Sequence, residues 1–180
     1  CGYPPSYPEA ARINPAARRW MGITVAKGTI ALHVEKEWPL AGLLLDQRNP
    51  RFGLVSRAEV AQADILDKIV ERFGVEDVLS SLATNGYFSA EPMVCKQGPT
   101  PDKLVVAEGN RRLAACLILT GDPRASRQSR RTQVYSEKWE NAGRPKIDPV
   151  PVILFDGEAA EAKLLSYLGV RHISSSQPWD

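Results

Sequence analysis

The alternation of apolar and polar positions predicts strands in four parts of the chain. Within TIALHVEKEW, the apolar residues Ile30, Leu32 and Val34 alternate with other residues, which is typical of a strand with one buried face. Three short apolar runs are bounded by turn or loop residues, and they predict further strands at 92–95, 103–107 and 150–155.

Apolar residues at helical spacing predict four helices. The first is expected to begin at Ser56, which can form a capping box with Glu59, and to end at Gly74. The others are expected at 75–85, 110–120 and 157–168. Because helices and strands mix without a regular βαβ alternation, the predicted fold class is α+β.

Two segments show no clear apolar period. Residues 1–22 carry four prolines, so residues 1–28 are predicted to be an N-terminal extension and 29–180 the folded domain. Residues 121–148 are rich in arginine and poor in aliphatic side chains. We therefore expect a long loop there, with one short helix near 134–139.

Composition and charge narrow the function classes only a little. The 180 residues are 43% hydrophobic and 24% charged, with a net charge of +2, which fits a folded domain and does not by itself indicate nucleic acid. No apolar run is long enough to cross a bilayer, so no membrane partner is expected. Three widely spaced cysteines without a CxxC pair fit a reducing cytoplasm. We expect the chain to be part of a longer protein.

The most informative stretch is KLVVAEGNRRLAACLILTG, in which two arginines separate two apolar runs. Gly109 permits a positive φ where the strand ends, and Asn110 is a good N-cap for the helix that follows. The first N–H groups of that helix favour an anion, and Arg111 and Arg112 add two guanidinium groups beside them.

The two arginines cannot both face the same anion, because successive helical residues diverge by about 100°. One is expected to face the anion, while the other pairs with an acid such as Glu108 or Asp46. A purely structural junction, in which both arginines are solvated or paired, fits these residues equally well.

The motifs LLLDQRNPRF, VLSSLATNGYFSAEPMVC, LVVAEGNRRLAACLILTGDP and VPVILF follow one another in this order. Together they resemble the N-terminal domain of the ParB/sulfiredoxin superfamily, over residues 40–172. The chain is most similar to the ParB-like nuclease domains that carry EGNRRLAA, and its ending VRHISSSQPWD resembles theirs. The resemblance implies a small mixed sheet flanked by helices.

The resemblance implies a phosphate site built from the Gly-Asn-Arg-Arg box, the Asn-Pro-Arg box and the C-terminal segment. Its residues would be Gly109, Asn110, Arg111, Arg112, Arg51, Arg171 and His172. Bound nucleotide would order the C-terminal segment around a hinge at Gly169. A turn stabilised by Asn49 and a hydrogen-bonded structural His172 are the structural alternatives.

The segment that would face the base runs from Asn85-Gly86 to Pro92, and it includes Gly86, Glu91 and Pro92. It is longer here than in ParB, with Tyr87-Phe88-Ser89-Ala90-Glu91 between the glycine and the proline. The base is therefore left open, and the expected nucleotide is CTP or ATP.

Metal binding and catalysis are where the chain departs from the family. ParB holds Mg²⁺ with a Glu-Asn pair after its last helix, and this chain has Gly-Val-Arg-His at 169–172. Any Mg²⁺ would fall to Asp46, Glu108 or Glu91, since Mg²⁺ prefers oxygen ligands. Glu108 is also the candidate catalytic residue, as a base or a metal ligand, with helix capping or pairing to Arg112 as its structural alternative. Sulfiredoxin chemistry is not expected, because Asn110 stands where that enzyme has its cysteine.

The arginines of the 121–148 segment are candidates for contact with nucleic-acid phosphates. They are Arg124, Arg127, Arg130 and Arg131. A solvated loop whose charges offset acids elsewhere is the alternative.

These patterns and the resemblance lead to one functional hypothesis with two alternatives. The first is a nucleotide-binding domain, a slow NTPase or a nucleotide switch, in a DNA-linked process. The alternatives are a nuclease acting on DNA, with a role in phage defence, and a non-catalytic module that binds DNA or a partner. The expected partners are a nucleotide, DNA, a further domain or protein, and a second copy of the chain in a homodimer.

Overall fold

The computed structural model of the chain describes residues 33–49, 60–157 and 159–175. All the elements below belong to one compact unit, Leu32–Asp180. The predicted N-terminal extension, the Arg51 of the Asn-Pro-Arg box and the capping box at Ser56 lie outside the described residues.

In the part of the chain that the structure describes, five strands form one mixed sheet in the order β1-β5-β3-β4-β2. Antiparallel pairing joins β1 to β5 and β3 to β4, while β5 pairs with β3 and β4 with β2 in parallel. With helices on its two faces, this sheet confirms the predicted α+β class. The strands are β1 (His33–Trp38), β2 (Leu43–Leu45), β3 (Met93–Gln97), β4 (Leu104–Glu108) and β5 (Val150–Phe155).

Within the described ranges, five helices accompany the sheet, and three of them differ from the sequence prediction. They are α1 (Gln62–Phe73), α2 (Glu76–Asn85), α3 (Asn110–Leu119), α4 (Ser129–Asn141) and α5 (Ala160–Ser175). The first begins at Gln62 instead of Ser56, because Ala61 has an extended backbone and is its N-cap. The last continues past Leu168 through Gly169 to Ser175, so the predicted hinge lies inside a helix.

The third difference is the arginine-rich segment, which was predicted to be mostly loop. A 3-10 turn at Pro123–Gln128 leads directly into the 13 residues of α4. This helix buries none of its residues fully, but Tyr135 and Trp139 pack against the core. The hydroxyl of Thr132 also donates to the Ile118 carbonyl oxygen at 3.0 Å. The segment is therefore an integral part of the helical layer.

The main core lies between the sheet and the layer made by α1 to α4. Burial raises the pKa of the Cys95 and Cys116 thiols to about 12, and both are enclosed in this core. A smaller cluster on the other face joins Leu164 of α5 to Val94, Ile153 and Phe155. Among the described helices, none is both long enough and apolar enough to pass through a membrane.

Candidate functional site

The junction between β4 and α3 is shaped by a glycine in the left-handed region. Gly109 has φ 101° and ψ 13° and is itself the N-cap of α3. The first intrahelical bond is donated by the Leu113 N–H to the Gly109 carbonyl oxygen at 2.9 Å. The N–H groups of residues 110–112 therefore have no acceptor within the helix, as at every helix start. The expected N-cap, Asn110, is instead the first residue of the helix.

Asn110 has a buried side chain that joins β4 to the residue after β2. It is 6% exposed, its amide nitrogen donates to the Val106 carbonyl oxygen at 2.7 Å, and its amide oxygen accepts from the Asp46 N–H at 3.0 Å. The nitrogen and the oxygen of the side-chain amide are therefore both hydrogen-bonded within the chain. We conclude that the side chain fixes the end of β2 against β4, near Gly109.

Arg111 points away from the junction, toward the corner between α1 and α2. Its Nε donates to the Gly74 carbonyl oxygen at 2.9 Å, and its Nη2 lies 2.6 Å from Asp77 Oδ1. One of the two arginines was expected to pair with an acid, and the expected acid was Glu108 or Asp46. The acid is Asp77, in the first turn of α2, 34 positions earlier in the chain.

Arg112 turns in the opposite sense, toward the segment predicted to face the base. Its side chain is 21% exposed, and Nη1 lies 3.4 Å from Glu91 Oε2 and 3.4 Å from the Tyr87 hydroxyl. Nη1 also donates to the Glu91 backbone carbonyl oxygen. The two arginines thus diverge as helix geometry requires, and Arg112 joins the predicted phosphate box to the 86–92 segment.

The 86–92 segment is held in place at its start. A Cβ at Gly86 would lie 2.7 Å from the Lys146 carbonyl oxygen, which also accepts from the Tyr87 N–H at 2.9 Å. The Tyr87 hydroxyl donates to the Glu91 carbonyl oxygen at 2.8 Å, and burial raises the pKa of this tyrosine. Pro92 is half-buried and lines a cavity of about 500 Å³, together with Glu35, Glu37, Ser89 and Val152 among others.

Asp46 and Glu108, two of the three acids considered for metal binding, lie at the same sheet end. Asp46 is 7% exposed, its Oδ1 accepts from the Arg48 N–H at 2.9 Å, and its Oδ2 lies 3.7 Å from Lys96 Nζ. Glu108 is half-buried and pairs with Val94 across the β3–β4 ladder. Within the described residues, no three His, Cys, Asp or Glu side chains are grouped so that they could hold a metal ion.

Three of the four arginines predicted to contact nucleic acid lie against acceptors of this chain. Arg124 pairs with Asp122 at 2.8 Å and donates to the carbonyl oxygens of Leu40 and Leu43. Arg127 lies 2.6 Å from Asp64 and 3.1 Å from Asp67. Arg131 lies 2.8 Å from Glu76.

Arg130, the fourth, is exposed and lines a shallow cavity of about 310 Å³ with Val134 and Tyr135. The contacts of the other three have a structural role, since they tie α4 and the turn before it to α1, α2 and the start of β2. Contact with nucleic acid therefore stays a prediction for this surface.

The remaining predicted phosphate contacts are placed only in part. Arg171 and His172 belong to α5 by their backbone. What the sequence could not indicate is the pairing of Arg112 with Glu91 and of Arg111 with Asp77, because those partners are 21 and 34 positions away in the chain.

Comparison with known proteins finds similarity among solved structures alone. No protein-family model matches the chain, and no curated protein matches it. Among solved structures, it is similar to the C-terminally truncated chromosome-partitioning protein ParB from Caulobacter crescentus complexed with CTP-gamma-S. The TM-score is 0.39 and the sequence identity 19%. The similarity covers 82% of this chain and 55% of that one, so this chain corresponds to about half of the ParB chain.

Proposed function

We propose that this chain binds a nucleoside triphosphate, CTP or ATP, with its phosphates at the N-terminus of α3. The observation that carries the proposal is the position of Arg112. This side chain starts in the predicted phosphate box and ends against the segment predicted to face the base. Two motifs that the sequence connects only through a family resemblance thus meet in one place.

The local chemistry supports an anionic ligand at this point. The N–H groups at the start of α3 have no intrahelical acceptors, and the helix dipole adds positive potential there. The guanidinium of Arg112 is partly exposed and can donate two parallel hydrogen bonds to a phosphate. Gly109 lacks a Cβ, so a phosphate can approach its backbone closely.

The four residues of the Gly-Asn-Arg-Arg box have different roles in this proposal. Gly109 and the N–H groups of the first helical turn hold the phosphates, and Arg112 is the side chain that binds them. Asn110 positions the strand ends, and Arg111 fixes α3 to the corner between α1 and α2. Arg51, Arg171 and His172 are proposed as further phosphate contacts on the resemblance alone.

Calorimetric titration with ATP, CTP, GTP and UTP, with and without Mg²⁺, tests the proposal. We expect one nucleotide to bind with a micromolar Kd. Arg112→Ala should weaken that binding about 10- to 100-fold, the range for a lost charged hydrogen bond. Arg111→Ala is the matched control and should change the Kd less than about threefold. Absence of binding for all four nucleotides would refute the proposal.

Turnover is a separate and finer proposal, in which Glu108 acts as the base or helps to hold Mg²⁺. Glu108 ends β4 directly before Gly109, so its position in the chain is beside the proposed phosphates. Glu108→Gln should abolish the release of phosphate and leave the nucleotide Kd within about threefold. Undiminished turnover in this variant would remove Glu108 from the reaction.

The same nucleotide binding would let the domain act as a switch in a DNA-linked process. DNA binding of the wild-type chain should then differ with and without nucleotide. If no nucleotide binds but DNA does, the alternatives of a nuclease or a DNA-binding module take its place.

A further inference from the structure

The guanidinium of Arg112 is already in contact with an anion of this chain. The Glu91 carboxylate lies 3.4 Å from Arg112 Nη1, and the Glu91 carbonyl oxygen accepts from the same nitrogen. The Tyr87 hydroxyl, at 3.4 Å, is the third oxygen around it. All three are oxygen acceptors, and the oxygens of a bound phosphate would accept hydrogen bonds from the same guanidinium.

The two charged partners differ in their freedom to move. Arg112 is held at its base by α3 and has a side chain only 21% exposed, whereas the Glu91 side chain is 57% exposed. The backbone near Glu91 has its own supports, since its N–H donates to the Phe88 carbonyl oxygen at 3.1 Å and its carbonyl oxygen accepts from Tyr87. These backbone hydrogen bonds do not involve the carboxylate, so they can remain when it leaves Arg112.

We propose that Glu91 is an internal competitor that sets the affinity of the α3 site for phosphate-bearing ligands. This inference rests on the proposed function, because it concerns the same site. A bound phosphate must displace the carboxylate from Arg112, and the lost ion pair lowers the apparent affinity.

The expected size of the effect is modest, since both partners reach solvent. Ion pairs with this exposure contribute little, so removing the competitor should tighten binding about fivefold. Any ligand that uses Arg112 should show the same gain, whichever base it carries.

The test is a titration of inorganic triphosphate and of CTP into the wild-type chain, Glu91→Gln and Glu161→Gln. The last is a matched control that removes the same charge from the exposed start of α5, on the other face of the sheet. We expect about fivefold tighter binding of both ligands to Glu91→Gln and less than about twofold change for the control. Introduced into Arg112→Ala, the Glu91→Gln change should have no effect, because the competed group is gone.

The outcomes separate this inference from the proposed function. If the wild-type chain binds CTP but Glu91→Gln binds it equally or more weakly, the competition is refuted and the nucleotide site stands. An equal gain in the Arg112→Ala background would also refute it, since the effect would then be general electrostatics. If neither ligand binds to any variant, both the site and the competitor are refuted.

Discussion

Replacing Asn110 with alanine should destabilise the fold through the loss of two buried hydrogen bonds. The Asn110 amide donates to the Val106 carbonyl oxygen at 2.7 Å and accepts from the Asp46 N–H at 3.0 Å. Val106 is fully buried and Asp46 is 7% exposed, so water cannot easily replace the lost partner. Alanine leaves one carbonyl and one N–H group unsatisfied at the place where β2 and β4 end.

The expected magnitude follows from these two groups. Each buried polar group left without a partner costs about 1–3 kcal/mol. Alanine has a higher helix propensity than asparagine, which raises the free energy of unfolding by roughly 0.5 kcal/mol at this position in α3. The free energy of unfolding should therefore fall by about 2–5 kcal/mol, a large part of the 5–15 kcal/mol typical of a domain.

Urea unfolding followed by circular dichroism measures this change directly. Asn141→Ala is the matched control, because it removes the same atoms at the exposed end of α4 and should change stability by less than about 0.5 kcal/mol. A loss below about 0.5 kcal/mol for Asn110→Ala would refute the bridging role of this side chain.

Three further predictions concern the same part of the molecule. Arg111→Ala should lower the free energy of unfolding by about 1 kcal/mol in urea titrations, since it breaks the exposed ion pair with Asp77 and the hydrogen bond to the Gly74 carbonyl oxygen; an unchanged midpoint would contradict this. Hydrogen bonds from the Val75 N–H and from Arg131 lower the pKa of Glu76 from 4.5 to about 2. The contribution of Glu76 to the free energy of unfolding is therefore complete above pH 4.5 and is lost as the pH falls toward 2. The free energy of unfolding of the wild-type chain should fall between pH 4.5 and pH 2. Because Glu76 is half exposed, Glu76→Gln should make this fall smaller by at most about 1 kcal/mol, which urea unfolding at several pH values measures. Gly109→Ala should lower the melting temperature because φ is 101°, whereas Gly169→Ala inside α5 should not; equal effects would argue against a strained junction.

The elements that the sequence predicted well are those with strong local signals. The strands β3, β4 and β5 and the helices α2 and α3 begin and end within about three residues of their expected bounds, because apolar runs and flanking turn residues mark them. The mixed order of strands and helices was also enough for the fold class.

The start of α1 could not be predicted from local signals, because its first residue makes hydrogen bonds to a residue that is far away in the sequence. The first helical residue, Gln62, donates to the Leu45 carbonyl oxygen at 3.1 Å and accepts from the Leu45 N–H at 2.7 Å. This pairing with β2 bridges 17 positions of the chain. A local capping signal at Ser56 carries no information about it.

The arginine-rich segment was misjudged for a similar reason. Helix α4 has few aliphatic residues, so its apolar period is weak and a loop was the natural prediction. Its stability comes from Tyr135 and Trp139 against the core and from ion pairs such as Arg131 with Glu76, which lies 55 positions earlier. Such pairs depend on the tertiary structure and leave no periodic trace in the sequence.

The geometry of the junction between β4 and α3 was predicted in outline and differs in its details, while its role as a binding site stays a prediction. The left-handed Gly109 and the divergence of the two arginines follow from residue type and helix geometry. Which arginine would pair with an acid did not follow, because the acids come from other elements. The structure pairs Arg111 with Asp77 and turns Arg112 toward Glu91.

The most direct test of the phosphate site is an amide ¹H–¹⁵N shift titration with inorganic triphosphate. If the phosphates bind at the start of α3, the largest shift changes will fall on the amides of residues 109–112, and they will disappear in Arg112→Ala. If the largest changes fall instead on residues 127–131 of the arginine-rich segment, or if no amide shifts, the proposed site is wrong.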